Sequence, residues 1–175
     1  IHHGFKRFVI LNAHTGNTAV STLLVDQINQ TTPGIAVLFE QAIEPFREQR
    51  SGPPPATAQF DRHGGTGETS SSLYHMPTLV QLDKAVPATL TLPPHLQAML
   101  PLVNAGDPTA SLVFLAEGLK AKETGKQTSS AEMSSTGVWG VRDPKEGTSA
   151  RGAASSTATV NAAVKFIDRW NELRP

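Results

Sequence analysis

The densest group of potentially catalytic side chains in this sequence lies in residues 63–70. These eight residues include three glycines, three hydroxyl-bearing residues and two titratable ones, His63 and Glu68. Glycines let a backbone approach a ligand closely, and a His and a carboxylate on such a loop can converge as a metal ligand and a proton-transfer residue. Glu68 also falls where a helix begins, and the helix dipole favours a charged carboxylate there. The pattern predicts a site, and the alternative is a surface turn in which Glu68 is an ordinary first-turn carboxylate.

A second candidate, His14, follows the first apolar segment of the chain. Residues 8–11 are all apolar and predict a short buried strand, and residues 12–17 form a polar turn before a helical pattern starts. Strand, turn and helix in this order place the turn at the carboxyl end of a sheet, where α/β proteins hold their sites. His14 is therefore predicted to lie at a ligand-binding edge.

The elements that must position these residues favour an α/β fold. A helix over residues 17–30, capped by Asn17 or Thr18, is predicted from apolar residues at helical spacing: Val20, Leu23, Leu24 and Ile28. A second buried strand is predicted over residues 35–39. Two buried strands joined by a helix indicate a parallel, right-handed crossover unit.

The downstream sequence predicts mostly helices and loops. We expect a short helix over residues 68–75 stopped by Pro77, an irregular segment over 92–108 with one turn near 96–100, and a helix over 110–121. Residues 122–135 are polar and predict a mobile loop. A final helix starting near Thr148 is predicted from the spacing of Val160, Ala163, Val164, Ile167 and Trp170.

Composition excludes several classes of protein. Lys plus Arg and Asp plus Glu both number 15, so no net charge draws the chain toward nucleic acid or a membrane surface. No apolar run approaches the roughly 20 residues that span a bilayer, and no signal peptide is recognisable. The absence of Cys leaves His and carboxylates as the metal ligands. We expect a cytoplasmic protein without nucleic-acid or membrane partners.

Two segments resemble phosphate-binding turns. Residues 64–69 are similar to a phosphate loop, but Glu68 stands where a Lys is needed, and a carboxylate repels a polyphosphate. Residues 15–18 resemble the phosphate-binding turn of flavodoxins, which makes a flavin-binding module the alternative function. Candidate aromatics for an isoalloxazine ring are Tyr74, Trp139 and Trp170.

Three segments in order resemble the creatininase (creatinine amidohydrolase) family. Residues 4–17 are similar to its "GF-basic-basic, apolar strand, NGHGGN" signature, with Ala13 and Thr15 in place of two glycines. Residues 63–70 resemble its "HAG-x-x-ETS" segment. Residues 137–140 and 143–152 resemble the "GVxGDPxxAT-A-x-x-G" approach to the last helix, with Val141 and Arg142 as an insertion.

The resemblance implies a three-layer α/β/α fold with a mostly parallel sheet and a site with two divalent metal ions. It implies hydrolysis of a C–N bond in an amide, a cyclic amide or a modified peptide by a metal-activated water. His14 and Glu68 would be metal ligands, and His63 would be the acid/base that delivers a proton to the leaving nitrogen. Asp61 would contact substrate. Apart from the resemblance, Trp139 is predicted either to pack in the core or, if it borders the site, to contact substrate by stacking on a planar ring. Ligand sets of this type suit Zn, Mn or Fe.

Two departures from the family limit the prediction. Gly16 occupies the position where creatininase proper has a carboxylate, so creatinine is not assigned as the substrate. The family's Glu-x-His motif and following Asp, which supply the other ligands, have no counterpart in residues 1–175. We therefore expect this chain to be the C-terminal part of a single creatininase-like domain, completed by an N-terminal chain that carries those ligands. The assembled unit is expected to form homo-oligomers, and a metal-free pseudoenzyme is the remaining alternative.

Overall fold

A computed structural model describes residues 1–48, 63–89, 92, 94–118, 134–139 and 142–173. The chain divides into two compact units, one made of residues 1–49 and 157–175 and the other of residues 50–156. No helix within the described ranges is both long enough and apolar enough to cross a membrane. Asp61 and most of the predicted polar loop at 122–135 lie outside the described residues.

The first unit is built on a parallel pair of strands. Strand β1 (Arg7–Ile10) pairs with β2 (Ile35–Leu38) in the register Arg7 to Ile35, and helix α1 (Thr18–Thr31) connects them. Parallel strands need such a crossover because a tight turn can join only antiparallel neighbours. The predicted α/β class with parallel strands is confirmed.

Asn29 joins the end of α1 to the second strand. Its side-chain Nδ2 donates to the Ala36 carbonyl oxygen at 2.9 Å, and its Oδ1 accepts from the Ala36 N–H at 2.7 Å. The amide side chain thus satisfies both backbone groups of one strand residue, as a neighbouring strand would.

The first strand differs from its prediction. It begins at Arg7 and ends at Ile10, its residues are half-buried, and Leu11 is 72% exposed. The pairing register decides these bounds, since Arg7 pairs with Ile35 while Leu11 lies beyond the last pair. The prediction of a buried strand over residues 8–11 is therefore wrong in both its bounds and its burial.

The second strand is one residue shorter than predicted, because Phe39 begins a helix. Helix α2 (Phe39–Ile43) and a 3₁₀ turn (Glu44–Phe46) follow directly. Ile43 is fully buried.

Helix α1 has the predicted length but does not bury the predicted face. Val20 is 69% exposed and Leu23 is 66% exposed, and Leu24 is exposed as well. Periodicity indicates which residues share a face of a helix, but it does not show what covers that face.

The last helix, α6 (Ser149–Glu172), contributes its second half to the first unit. The Arg7 guanidinium donates to the Asn171 side-chain oxygen at 3.1 Å and lies 5.6 Å from the centre of the Trp170 ring. Phe166 contacts the rings of Phe46 and Trp170. Three of the apolar residues that predicted this helix are exposed, namely Val160, Val164 and Ile167.

The second unit consists of helices around a small apolar core. Its helices are α3 (Thr66–His75), α4 (Pro94–Asn104) and α5 (Pro108–Gly118), together with the first residues of α6. The core is formed by Leu92, Leu96, Val103, Ala110, Phe114 and Trp139. Helix α5 begins earlier than predicted, because the Asp107 carboxylate accepts from the Ala110 N–H at 2.8 Å and Pro108 occupies the first helical position.

The prediction of an irregular segment over 92–108 is wrong, because α4 is a helix of 11 residues with Pro101 inside it. Proline removes one hydrogen bond of the helix. Leu96 and Val103, each 1% exposed, lie on either side of it. Burial of these two apolar side chains stabilises the helix despite the missing hydrogen bond. The prediction of an irregular segment rested on the prolines alone.

Candidate functional site

The loop that carries His63 is held by its backbone. His63 and Trp139 form an isolated antiparallel bridge, in which the Trp139 N–H donates to the His63 carbonyl oxygen at 2.7 Å and the reverse bond is 3.2 Å. The residue His63 is exposed. The bridge therefore fixes the chain at His63 without using its imidazole.

Glu68 lies in the first turn of α3 and is anchored by the preceding loop. The Gly64 N–H donates to Glu68 Oε2 at 2.7 Å, as in a capping box displaced by one residue. Gly64 has a φ of +67°, and a Cβ built there would lie 3.2 Å from Val138 Cγ2. A glycine is needed at this position for both reasons. The second carboxylate oxygen of Glu68 has no bond to any described residue, so one oxygen is anchored while the other is available.

His14 caps a short turn in the first unit. It precedes a 3₁₀ turn (Thr15–Asn17), and its Nδ1 accepts from the Gly16 N–H at 3.0 Å. The His14 N–H donates to the Asn12 side-chain oxygen at 3.2 Å. The predicted cap of α1 is Asn17 by position, but its side chain makes no capping hydrogen bond. The turn is held by these local bonds, and His14 is exposed.

Trp139 lies in the core of the second unit. It is 8% exposed and packs in the same cluster as Leu96 and Phe114. Its indole N–H is buried without a hydrogen-bond partner among the described residues. This is the packing role that the sequence left open, and substrate contact by Trp139 stays a prediction.

The structure thus brings three of the predicted site residues into one unit. His63 and Trp139 are bridged, and Glu68 is bonded to the residue that follows His63. His14 belongs to the other unit. Within the described ranges, no three His, Asp or Glu side chains form a group that could hold a metal ion. The assignment of these residues to a metal site stays a prediction.

The junction of α3 and α6, which holds the Glu68 helix in place, is not evident from the sequence. Ser70 is 1% exposed, its hydroxyl donates to the Thr66 carbonyl oxygen at 2.6 Å, and it accepts from the Thr148 N–H at 3.0 Å. A Cβ on Gly152 would lie 2.1 Å from the Ser70 carbonyl oxygen. The available signal was a glycine inside a helical pattern, which often marks close approach of another backbone.

Thr148 confirms the predicted start of the last helix. Its hydroxyl accepts from the Arg151 N–H at 3.2 Å, and the helix begins at the next residue, Ser149. The Arg151 guanidinium in turn donates to the Thr66 hydroxyl at 3.3 Å. The end of the candidate loop and the start of α6 therefore form one hydrogen-bonded group.

Comparison with known proteins gives one family and one solved structure. The family model described as "Creatininase: Creatinine amidohydrolase" matches residues 1–167. A solved structure of a single-residue mutant of creatininase aligns with a TM-score of 0.49 and 18% identity, covering 99% of this chain and 58% of that chain. No curated protein matches this sequence.

Proposed function

Because this chain belongs to the creatininase family, we propose that it is part of a metal-dependent amidohydrolase. The reaction is hydrolysis of a C–N bond in an amide, a cyclic amide or a modified peptide. The observation that carries this proposal is the family match over residues 1–167, which includes His14, His63 and Glu68. The anchoring of Glu68 by Gly64 supports it, because a carboxylate fixed through one oxygen can bind a cation through the other.

In this proposal His14 and Glu68 are metal ligands for a pair of divalent ions, Zn, Mn or Fe. When bound, such ions acidify a water molecule and polarise the carbonyl oxygen of the substrate. His63 gives a proton to the leaving nitrogen, for which its exposed imidazole on a fixed backbone is suited. Asp61 and Trp139 are proposed to contact the substrate.

The donor atoms of both proposed ligands fit this role chemically. An anionic carboxylate oxygen and an unprotonated imidazole nitrogen are ligands for all three metals. Metal binding by His14 requires a change in its hydrogen bonding. Its Nδ1 accepts from the Gly16 N–H, so the proton of the neutral ring is on Nε2. Binding through Nε2 requires the proton to move to Nδ1, and binding through Nδ1 displaces the Gly16 N–H. Either mode removes this hydrogen bond.

The remaining metal ligands are proposed to come from a complementary polypeptide. Exposed apolar residues on α1 and α6 support the existence of a partner, because an amphipathic helix gains stability by covering its apolar face. We also propose that the assembled unit forms homo-oligomers. Intact mass of the purified protein tests the first point, and a single polypeptide with full activity would contradict it.

Substitution of each proposed ligand tests the proposed function. His14→Ala and Glu68→Ala are each expected to remove metal and activity with the fold intact, since each deletes a donor atom. His63→Asn is expected to retain metal and lower amide hydrolysis about 100-fold or more, the range expected for loss of a proton donor. Elemental analysis, circular dichroism and hydrolysis rates measure the three effects. His75→Ala is the matched control, because His75 is exposed at the end of the same helix.

Metal retained in both ligand variants would contradict the ligand assignment. A protein that binds no metal at all while carrying His14 and Glu68 would be a pseudoenzyme. A coloured, flavin-bearing protein would support the flavin alternative, which the structure does not favour. In the turn that resembles a phosphate site, the Gly16 N–H is already bonded to His14.

A further inference from the structure

A cavity opens in the second unit beside the loop that carries His63 and Glu68. Its volume is about 270 Å³, and Gly64, Thr69 and Val138 line it. Gly64 follows His63 and donates its N–H to Glu68, while Val138 precedes the residue that bridges His63. The cavity is therefore lined by the residues that follow His63 and Glu68 in the chain, Gly64 and Thr69.

The walls of this cavity are mainly aliphatic. Six of the described lining residues have apolar side chains: Val80, Leu82, Ala85, Val86, Val138 and Pro144. The uncharged polar side chains that line it are the Gln81 amide and two hydroxyls, and both hydroxyls take part in local bonds. Thr69 Oγ1 donates to the Gly64 carbonyl oxygen at 3.3 Å, and Thr136 Oγ1 accepts from the Val138 N–H at 3.3 Å. Such walls accept methylene groups.

Lys84 alone carries a charge among the described residues that line the cavity. It ends a 3₁₀ turn (Leu82–Lys84), which is held by bonds from the Lys84 N–H to the Gln81 carbonyl oxygen and from the Ala85 N–H to the Leu82 carbonyl oxygen. Its ammonium forms no ion pair with another described residue. Lys84 is exposed, so an anion that pairs with its ammonium gains the modest energy of a solvated ion pair.

Taking the proposed function as its premise, we propose that this cavity binds the part of the substrate remote from the scissile bond. That part is an aliphatic arm ending in a carboxylate, which pairs with Lys84 while its methylene groups contact Val80, Val86 and Val138. The single ammonium of Lys84 matches the single charge of one carboxylate. The substrate class is thus an N-acylated aminocarboxylic acid, or a cyclic amide that carries a further carboxylate outside its ring.

Binding of a matched pair of probes tests this inference without turnover. The probes are N-acetyl-γ-aminobutyrate and its neutral primary amide, titrated into the full chain with methyl-labelled valines. The acid is expected to bind about five- to tenfold more tightly than the amide and to shift the methyl signals of Val80, Val86 and Val138. Equal affinities, or shifts confined to other valines, would overturn the proposal.

Variants of Lys84 make the test sharper. Lys84→Gln is expected to abolish the preference for the acid, and Lys84→Glu to reverse it, because the carboxylate then faces a like charge. Lys145→Gln is the matched control, since Lys145 is exposed on the 3₁₀ turn Pro144–Glu146 and does not line the cavity. A loss of preference in Lys145→Gln equal to that in Lys84→Gln would overturn the assignment to Lys84.

The outcomes separate this inference from the proposed function. Acid-selective binding that depends on Lys84, in a protein that cleaves no amide, would leave the cavity assignment standing and overturn the hydrolase proposal. If the Lys84→Gln variant and the unaltered chain cleave amides with the same substrate preference, the hydrolase proposal would stand and the cavity assignment would be overturned.

Discussion

The two turns that carry the proposed chemistry are held in opposite ways. The loop before Glu68 leads into Thr66 and Ser70, which are buried and bonded to the start of α6, more than 70 residues away in sequence. The turn at His14 is exposed and held by bonds between near neighbours in sequence. Distant packing within its unit fixes the helix of Glu68, whereas His14 can change its bonds at small cost. We expect the first to behave as a rigid ligand and the second to adjust when a metal binds.

Gly152→Ala is expected to have the largest effect on stability. The new Cβ would lie 2.1 Å from the Ser70 carbonyl oxygen, so the backbones of α3 and α6 must separate. We expect a loss of at least about 3 kcal/mol in the free energy of unfolding, measured by urea denaturation. Gly67→Ala is the control, because a Cβ at this helical position would have open space around it. This substitution is expected to leave the free energy of unfolding unchanged or to raise it. Equal effects of the two substitutions would contradict the close packing at Gly152.

Ser70→Ala is expected to cost about 1–3 kcal/mol, because it removes a buried hydroxyl that accepts from the Thr148 N–H and donates to the Thr66 carbonyl oxygen. The same denaturation experiment measures it. Ser71→Ala, at an exposed position of the same helix, is expected to change stability by less than about 0.5 kcal/mol. If Ser70→Ala lowered the free energy of unfolding no more than Ser71→Ala, the hydrogen bonds of Ser70 would not be what holds the Glu68 helix in place.

Asn12→Ala tests the other turn and is expected to cost about 1 kcal/mol or less. Asn12 accepts from the His14 N–H, and its Nδ2 donates to the Thr18 hydroxyl at 3.3 Å, both at exposed sites. Thr15→Ala serves as the control, since its hydroxyl has no partner within the described ranges. If Asn12→Ala lowered the free energy of unfolding as much as Ser70→Ala, the two turns would not differ in how strongly they are held.

Leu23→Gln is expected to have the smallest effect, within about 0.5 kcal/mol in this chain alone. Leu23 is 66% exposed, so the substitution removes little buried apolar area. Val25→Gln, at a half-buried position of α1, is expected to cost more in the same experiment. If a complementary polypeptide covers α1, Leu23→Gln should weaken its association, which size-exclusion chromatography of the mixture would detect.

Helices with strong periodicity and clear end signals could be predicted from the sequence. The last helix was predicted to begin at Thr148 and begins at Ser149 with Thr148 as its cap, and α1 differs from its prediction by one residue at each end. Helix α4 was not predicted, because Pro101 indicates irregular structure. The buried residues on either side of it, Leu96 and Val103, favour the helix. The bounds of β1 depend on a pairing register that its own residues do not encode.

The candidate loop could be predicted in part. Dense glycines indicated unusual backbone angles, and Gly64 has a positive φ. The sequence did not show that Ser70 and Gly152 fix the helix of Glu68, because that depends on contacts between distant segments. It also left open whether Trp139 packs or binds substrate, since an indole serves either purpose until its neighbours are known.

The hydrogen bond from Gly16 to His14 offers a way to observe the candidate ligand directly. Any cation taken up by this imidazole breaks that bond, so the backbone amide of Gly16 should lose its protection from solvent exchange and change its proton resonance. One glycine signal would then report occupancy of His14 before any substrate or the identity of the metal is known.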